Sequence, residues 1–265
     1  MTAASEKFSP EGLILDMDGV RYRGDCPLPG LVEFFEIARS HPFVLLTNNS
    51  TVSARDLETK LAKMGVQVPL GAILTVSEAT GRHLAETFAP GSRALVLGGV
   101  ELRRAVVAAG MTLVTTQADV VVVGLDAALT YETLAEAVRS VSVGAGLVAT
   151  SFDTVLLTGR GITPASGAIV AAIRACVDAV PVCIGKPSAS MFQMAARQLG
   201  LPAQATLVVG DNIRSDIAGG KAVGAWTALL LSGVSAPASS DQLQPDLVLA
   251  GLPELSTFLG RAWER

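Results

Sequence analysis

Cysteine is scarce in this chain: Cys26, Cys176 and Cys183 are the three present, and no two of them form a Cys-x-x-Cys pair. A disulfide framework and a cysteine zinc site are therefore not indicated, and the thiols read as reduced, small hydrophobes. Histidine is scarcer, with only His41 and His83; neither has a partner in the sequence, and both read as structural. Charged residues make up 17% of the chain, the formal net charge is −4, and there is no Lys/Arg run. That balance argues against bulk affinity for nucleic acid. No apolar stretch approaches the roughly 18 residues needed to span a bilayer, and residues 1–11 lack the basic and apolar regions of a signal peptide. Cytoplasm is the expected compartment, without a membrane partner. Gly98-Gly99 and Gly159-x-Gly161 do not complete a dinucleotide fingerprint, and Val180 stands where a Walker motif ending at Lys186 needs its first glycine.

What is present is a chain of 265 residues, half of them hydrophobic, long enough to bury a large core in one or two domains. Short, continuously apolar runs alternate with amphipathic helical patterns. Leu13 to Leu15, Phe43 to Leu46, Val182 to Ile184, Leu207 to Val209 and Ala228 to Leu231 read as strands covered on both faces. Ser53 and Asp56 read as a capping box, with Leu57, Leu61 and Met64 on one helical face and Gly65 as the stop. Pro187 is expected to open a helix that ends at Gly200. This alternation predicts an α/β fold with a doubly wound parallel sheet and right-handed crossovers. Residues 79–181 carry strands and helices of their own, such as a helix with Tyr131, Leu134, Ala135, Val138 and Val141 on one face. They are expected to form an inserted α/β domain, with the core made of residues 1–78 and 182–265. Pro237 to Ser240 reads as a polar loop.

Four short motifs follow in order, each at an expected strand end. Asp16-Met17-Asp18-Gly19 places two carboxylates just past a buried parallel strand, where open α/β sheets bind ligands. Two carboxyl groups so close tend to separate in protonation state, so one can attack while the other donates a proton. Thr47-Asn48-Asn49 offers a hydroxyl and amides for phosphate oxygens. Lys186, in Gly185-Lys186-Pro187, supplies a fixed cation for a phosphate oxygen and the nucleophile. Asp211, in Gly210-Asp211-Asn212, joins Asp16 and the Asp18 backbone carbonyl in an all-oxygen set of the kind Mg²⁺ prefers, and Asp216 follows in the next helical turn. Taken singly, each motif also fits a turn, a surface lysine or a helix cap. Four in order fit phosphoryl transfer through an aspartyl-phosphate.

With these motifs, and with Val123-Gly124-Leu125-Asp126, Tyr131, Pro164, Gly167, Leu230 to Val234 and Pro245-Asp246, the chain resembles the haloacid dehalogenase-like (HAD) phosphatase superfamily. The branch it is most similar to is the NagD-like one, related to 4-nitrophenylphosphatases, and the similarity runs from about Gly12 to the C-terminus. The resemblance implies a Rossmann-like core with a cap inserted between the second and third motifs. It implies Asp16 as nucleophile, Asp18 as acid/base, and Thr47, Asn48, Asn49 and Lys186 at the phosphate. Mg²⁺ would be held by Asp16, the Asp18 carbonyl and Asp211, with Asp216 behind them. In a cap loop where the branch usually carries Thr-Asn-x-Asp, this chain has Thr150-Ser151-Phe152-Asp153, so Phe152 and Asp153 become the candidate specificity residues. The expected activity is Mg²⁺-dependent hydrolysis of a small phosphomonoester, a sugar, polyol or nucleotide monophosphate, with a homodimer as one assembly open to the chain. A phosphotransferase or mutase, and a phospho-accepting regulatory protein, are the alternatives. A dehalogenase would need neither Mg²⁺ nor the Asp18 carboxyl.

Overall fold

The computed structural model describes residues 8–23, 26–159, 161–232 and 243–264. It divides into two compact units. One comprises the described residues up to Thr47, Ala54–Leu74 and those from Lys186 onward; the other comprises Asn48–Ser53 and Thr75–Gly185. The chain passes between them at Thr47–Asn48, Ser53–Ala54, Leu74–Thr75 and Gly185–Lys186.

The first unit is built on a six-stranded sheet in the order Leu247–Leu249, Trp226–Leu230, Thr206–Gly210, Gly12–Asp16, Phe43–Thr47, Ile73–Thr75. Its central strand is parallel to both neighbours, with Leu15 opposite Val209 and Asp16 opposite Leu46. Leu13, Ile14, Leu15, Val44, Leu45, Leu207, Val208 and Val209 are all buried, as strands sandwiched between helices must be. The registers bring three motif-bearing strand ends side by side at the carboxyl edge of the sheet. The helix Ala54–Lys63 buries Leu57 and Leu61. It is closed by Gly65 at φ +86°, whose N–H reaches Ala62 O while Val66 N–H reaches Leu61 O.

The second unit holds a five-stranded parallel sheet in the order Val182–Cys183, Gly146–Ala149, Val120–Val123, Arg93–Leu97, Thr112–Leu113, and a hairpin of Val155–Thr158 with Gly161–Pro164. Its helix Val76–Thr87 starts with a reciprocal cap between Thr75 and Glu78.

Three expectations need correction. The strand Val182–Cys183 belongs to the second unit's sheet, where Val182 lies opposite Val148 and Cys183 opposite Ala149; a short apolar run carries no mark of which sheet it will edge. The helix after Pro187 is Ala189–Leu199, with Ser188 at its N-cap, and it does end at Gly200, φ +70°. On the helix Tyr131–Ser142, Tyr131 is exposed; the packed face is Ala137 and Val141 with Leu134 and Val138. The loop expected at 237–240 lies outside the described residues. Among the described residues, no helix is long and apolar enough to cross a membrane.

Candidate active site

Asp16 ends the central strand and is half-buried, and the chain turns sharply just beyond it. Gly19 at φ +77° makes the turn, with Gly19 N–H on Tyr22 O and Arg21 N–H on Met17 O, both at 2.9 Å. A side chain at Gly19 would not fit, because its Cβ would lie 2.1 Å from Asp211 Oδ2. That near-contact shows how closely the first and fourth motifs interlock.

Carboxylate oxygens of Asp16, Asp211 and Asp216 lie within 4.8 Å of one another. Lys186 reaches into this group: its ammonium donates to Asp16 Oδ1 and, at 2.7 Å, to Asp216 Oδ1. Asp216 Oδ2 accepts the N–H of Asn212 at 3.2 Å. Asp216 lies on the wide turn Ile213–Ile217, a rare π-type geometry found frequently at functional sites. Gly210 makes room for it, since a Cβ there would stand 2.2 Å from Asp216 Cβ.

Burial alone would lower the pKa of Lys186, but the carboxylates of Asp16 and Asp216 outweigh it and raise it, so the lysine is a permanent cation. Burial, followed by the charge of Asp16, pushes the Asp216 carboxyl up to about 7 against the pull of Lys186. Asp18 retains solvent access, yet lost hydration and the charge of Asp16 raise its carboxyl, with Lys60 and Lys186 pulling it down. A raised carboxyl is the condition that a proton donor requires.

Thr47 is buried at the end of the strand next to Asp16. Asn48 and Asn49 begin the second unit. Asn48 is half-buried with Oδ1 so close to Gly185 that a Cβ there would be 2.6 Å away. Asn49 is exposed and its Oδ1 accepts from Thr51 N–H and Oγ1 at 2.9 and 2.7 Å, so that oxygen is occupied by a local turn. Phe152 is 48% exposed rather than packed inside its unit. Asp153 is exposed, its Oδ2 accepting from Ser151 Oγ at 2.7 Å; Ser151, at the position where the branch has Asn, holds it in place. A side chain at Gly167 would clash with this loop, 2.2 Å from Phe152 O.

His41 stacks on Trp263 at 3.6 Å between ring centroids, consistent with a structural histidine. Two cations escaped the sequence reading. Lys60 lies 3.9 Å from the Tyr22 ring centroid and within electrostatic reach of Asp18. Arg21, whose side chain is fully buried, has no hydrogen-bond partner on any guanidinium nitrogen. An arginine between Val20 and Tyr22 in an apolar stretch was the available signal.

A family profile described as "Haloacid dehalogenase-like hydrolase" matches residues 13–112, and one described as HAD-hydrolase-like matches 183–255. The ribonucleotide monophosphatase NagD of Escherichia coli is 32% identical over 252 residues, covering 94% of this chain and 99% of that protein. The 5'-nucleotidase YutF of Bacillus subtilis is 32% identical over 227 residues, 85% of this chain and 88% of that one. An acid sugar phosphatase of Staphylococcus saprophyticus is 33% identical, covering 84% and 86%. Among solved structures, a p-nitrophenyl phosphatase from Archaeoglobus fulgidus superposes with a TM-score of 0.88 at 32% identity, over 94% of this chain and 99% of that one. A glycerol phosphate phosphatase from Mycobacterium tuberculosis, in complex with magnesium, superposes with a TM-score of 0.86 at 29% identity, covering 97% and 79%. The chain belongs to the haloacid dehalogenase-like hydrolases, in their NagD-like phosphatase branch.

Proposed function

We propose that this protein hydrolyses a small phosphomonoester in two steps through an aspartyl-phosphate on Asp16. The observation that carries the reading is Lys186 joined to both Asp16 and Asp216 within the same carboxylate cluster. A carboxylate suited to attack is thereby fixed beside a permanent cation.

In the first step an Asp16 carboxylate oxygen attacks phosphorus, the bond from phosphorus to the ester oxygen breaks, and Asp18 passes its proton to the departing oxygen. In the second, Asp18, now a carboxylate, takes a proton from water. That water attacks phosphorus, the acyl-phosphate bond breaks, and inorganic phosphate leaves with Asp16 restored. Lys186 offsets charge on the phosphoryl oxygens throughout, and Thr47 with Asn48 orients them.

The cluster suits a magnesium ion, because its donors are all oxygens and the room between Gly19 and Asp211 leaves no space for a side chain. Asp16, Asp211 and the Asp18 carbonyl would hold the ion, with Asp216 kept to Lys186 and Asn212. When bound, it supplies charge neutralisation and orientation of the phosphate.

The relatives' named substrates, ribonucleotide monophosphates, sugar phosphates and glycerol phosphate, support a hydroxylated leaving group. We assign its selection to Phe152, which offers a ring face, and Asp153, which accepts hydrogen bonds.

Rapid quench with ³²P-labelled substrate tests the mechanism. Acid-stable, hydroxylamine-labile label on the wild type, absent from Asp16→Asn, is expected, together with loss of turnover in excess EDTA. Full turnover by Asp16→Asn, or full activity without metal, would sink the reading.

A further inference from the structure

Glycine loosens the backbone around it, and the residue after Asp18 is one. A stiffer residue does not fit there: φ at Gly19 is +77°, and a Cβ would lie 2.1 Å from Asp211 Oδ2. The aim of the Asp18 side chain therefore depends on what holds the two peptide groups of that glycine. The group between Asp18 and Gly19 is held from within the turn, where Gly19 N–H donates to Tyr22 O at 2.9 Å. The group between Gly19 and Val20 is held from outside it. Ser232 Oγ donates to Gly19 O at 3.1 Å, from 213 positions further along the chain.

Ser232 follows the strand Trp226–Leu230, at the carboxyl edge of the same sheet, and is half-buried. Leu231 N–H donates to Leu249 O at 2.9 Å, so the backbone ladder of the sheet fixes the place from which Ser232 approaches the turn. In the neighbouring strand Gly210 stands opposite Leu229, and Asp211 comes next. The serine hydroxyl and the Asp211 carboxylate thus reach Gly19 from adjacent strand ends.

We propose that Ser232 is a positioning residue, whose hydrogen bond to the Gly19 carbonyl fixes the turn so that the Asp18 carboxyl meets the ester oxygen. The inference rests on the reading of Asp18 as proton donor given above. In that step the bond from phosphorus to the ester oxygen breaks as the Asp18 proton passes to that oxygen. Proton transfer needs its partners within hydrogen-bond reach, and a small misplacement is enough to slow it. Without the tether the turn loosens at Gly19, while Asp16 stays on its strand and Lys186 in its two ion pairs. Phosphate binding is then undisturbed, and the defect falls on protonation of the leaving oxygen.

The test measures kcat/KM for S232A, S232T and S232V, with Mg²⁺ present, on 4-nitrophenyl phosphate, phenyl phosphate and glycerol phosphate. The inhibition constant of inorganic phosphate is measured beside it. S232A should lose about tenfold in kcat/KM on glycerol phosphate, a part of the 10²–10⁴-fold that a positioned acid contributes. The loss should shrink through phenyl to 4-nitrophenyl phosphate, whose leaving oxygen hardly needs a proton, and phosphate inhibition should be unchanged. S232T, which keeps the hydroxyl, should recover most of the rate, and S232V, of the same shape without it, should behave as S232A does. If S232A does not fold, S232T must still exceed S232V on glycerol phosphate. In the Asp18→Asn background S232A should cost nothing further on that ester. Equal losses on all three esters, weakened phosphate inhibition, S232T and S232V performing alike, or an undiminished loss in Asp18→Asn would each overturn the proposal. Failure of the Asp18 reading itself would be seen separately, as equal defects of the single Asp18→Asn variant on alkyl and 4-nitrophenyl esters.

Discussion

Lys186 Nζ donates to Asp216 Oδ1 at 2.7 Å, and both side chains are buried. Because the same ammonium also donates to Asp16, Asp216 works as the anchor that aims a cation at the proposed nucleophile. Lys186→Met removes the cation and leaves facing carboxylates without it. The expected result is a loss of at least about 10²-fold in kcat/KM, the scale of one lost transition-state donor. In metal-free protein, stability should fall by roughly 3–5 kcal/mol, read by urea denaturation. A variant of wild-type activity would remove Lys186 from the mechanism.

The raised Asp18 carboxyl suits a proton donor. Asp18→Asn should therefore be impaired by about 10²-fold or more with an alkyl phosphate, and less with 4-nitrophenyl phosphate, whose leaving group hardly needs a proton. Initial rates on the two esters decide it; equal defects would count against the assignment.

Asp216 provides a pH signature. Its folded pKa, about 7, lies above the unfolded carboxylate value of about 3.9, so the folded state holds the proton more tightly. Its contribution to stability is then fully present below about pH 4 and is lost as pH rises through about 7. In EDTA, the stability difference between wild type and Asp216→Asn should decline over that window and level off above it. Thermal melts from pH 4 to 8 measure this directly, and a difference that grew with pH would contradict the sign.

Ser151 holds the exposed Asp153 at 2.7 Å beside the exposed Phe152. Asp153→Ala is expected to lower kcat/KM about tenfold for a sugar phosphate or nucleotide while sparing 4-nitrophenyl phosphate, since a lost hydrogen bond to substrate is worth about 1 kcal/mol or somewhat more. Paired assays on both substrate types check it. Parallel losses would mean that Asp153 supports the loop rather than selecting the ester.

Much of this was open to reading in one dimension. The runs 13–15, 43–46 and 207–209 are continuously apolar because both faces of their sheet are covered. The residues just after such runs therefore had to emerge at one edge. Asp16, Thr47 and Asp211 were legible for that reason, and Gly19 and Gly210 mark the close approaches beside them. Local pattern could not choose among partners of equal apolarity. Val182–Cys183 was assigned to the wrong sheet because strand pairing depends on which edge is free, a property of the folded unit.

Side-chain environment was likewise a tertiary outcome. Sequence spacing set Asp216 near Asp211, but only the wide turn Ile213–Ile217 directed it to Lys186. Phe152 could have packed inward or faced solvent, and the approach of Gly167 to the Phe152 backbone belongs to the fold that leaves its ring outside. Arg21 shows the same division most sharply. The sequence by itself determined that a guanidinium stands five residues from Asp16, next to Tyr22. Only the packing of Phe34 and Phe35 over it decided that the charge would be dry and unpaired, because desolvation depends on atoms that are distant along the chain.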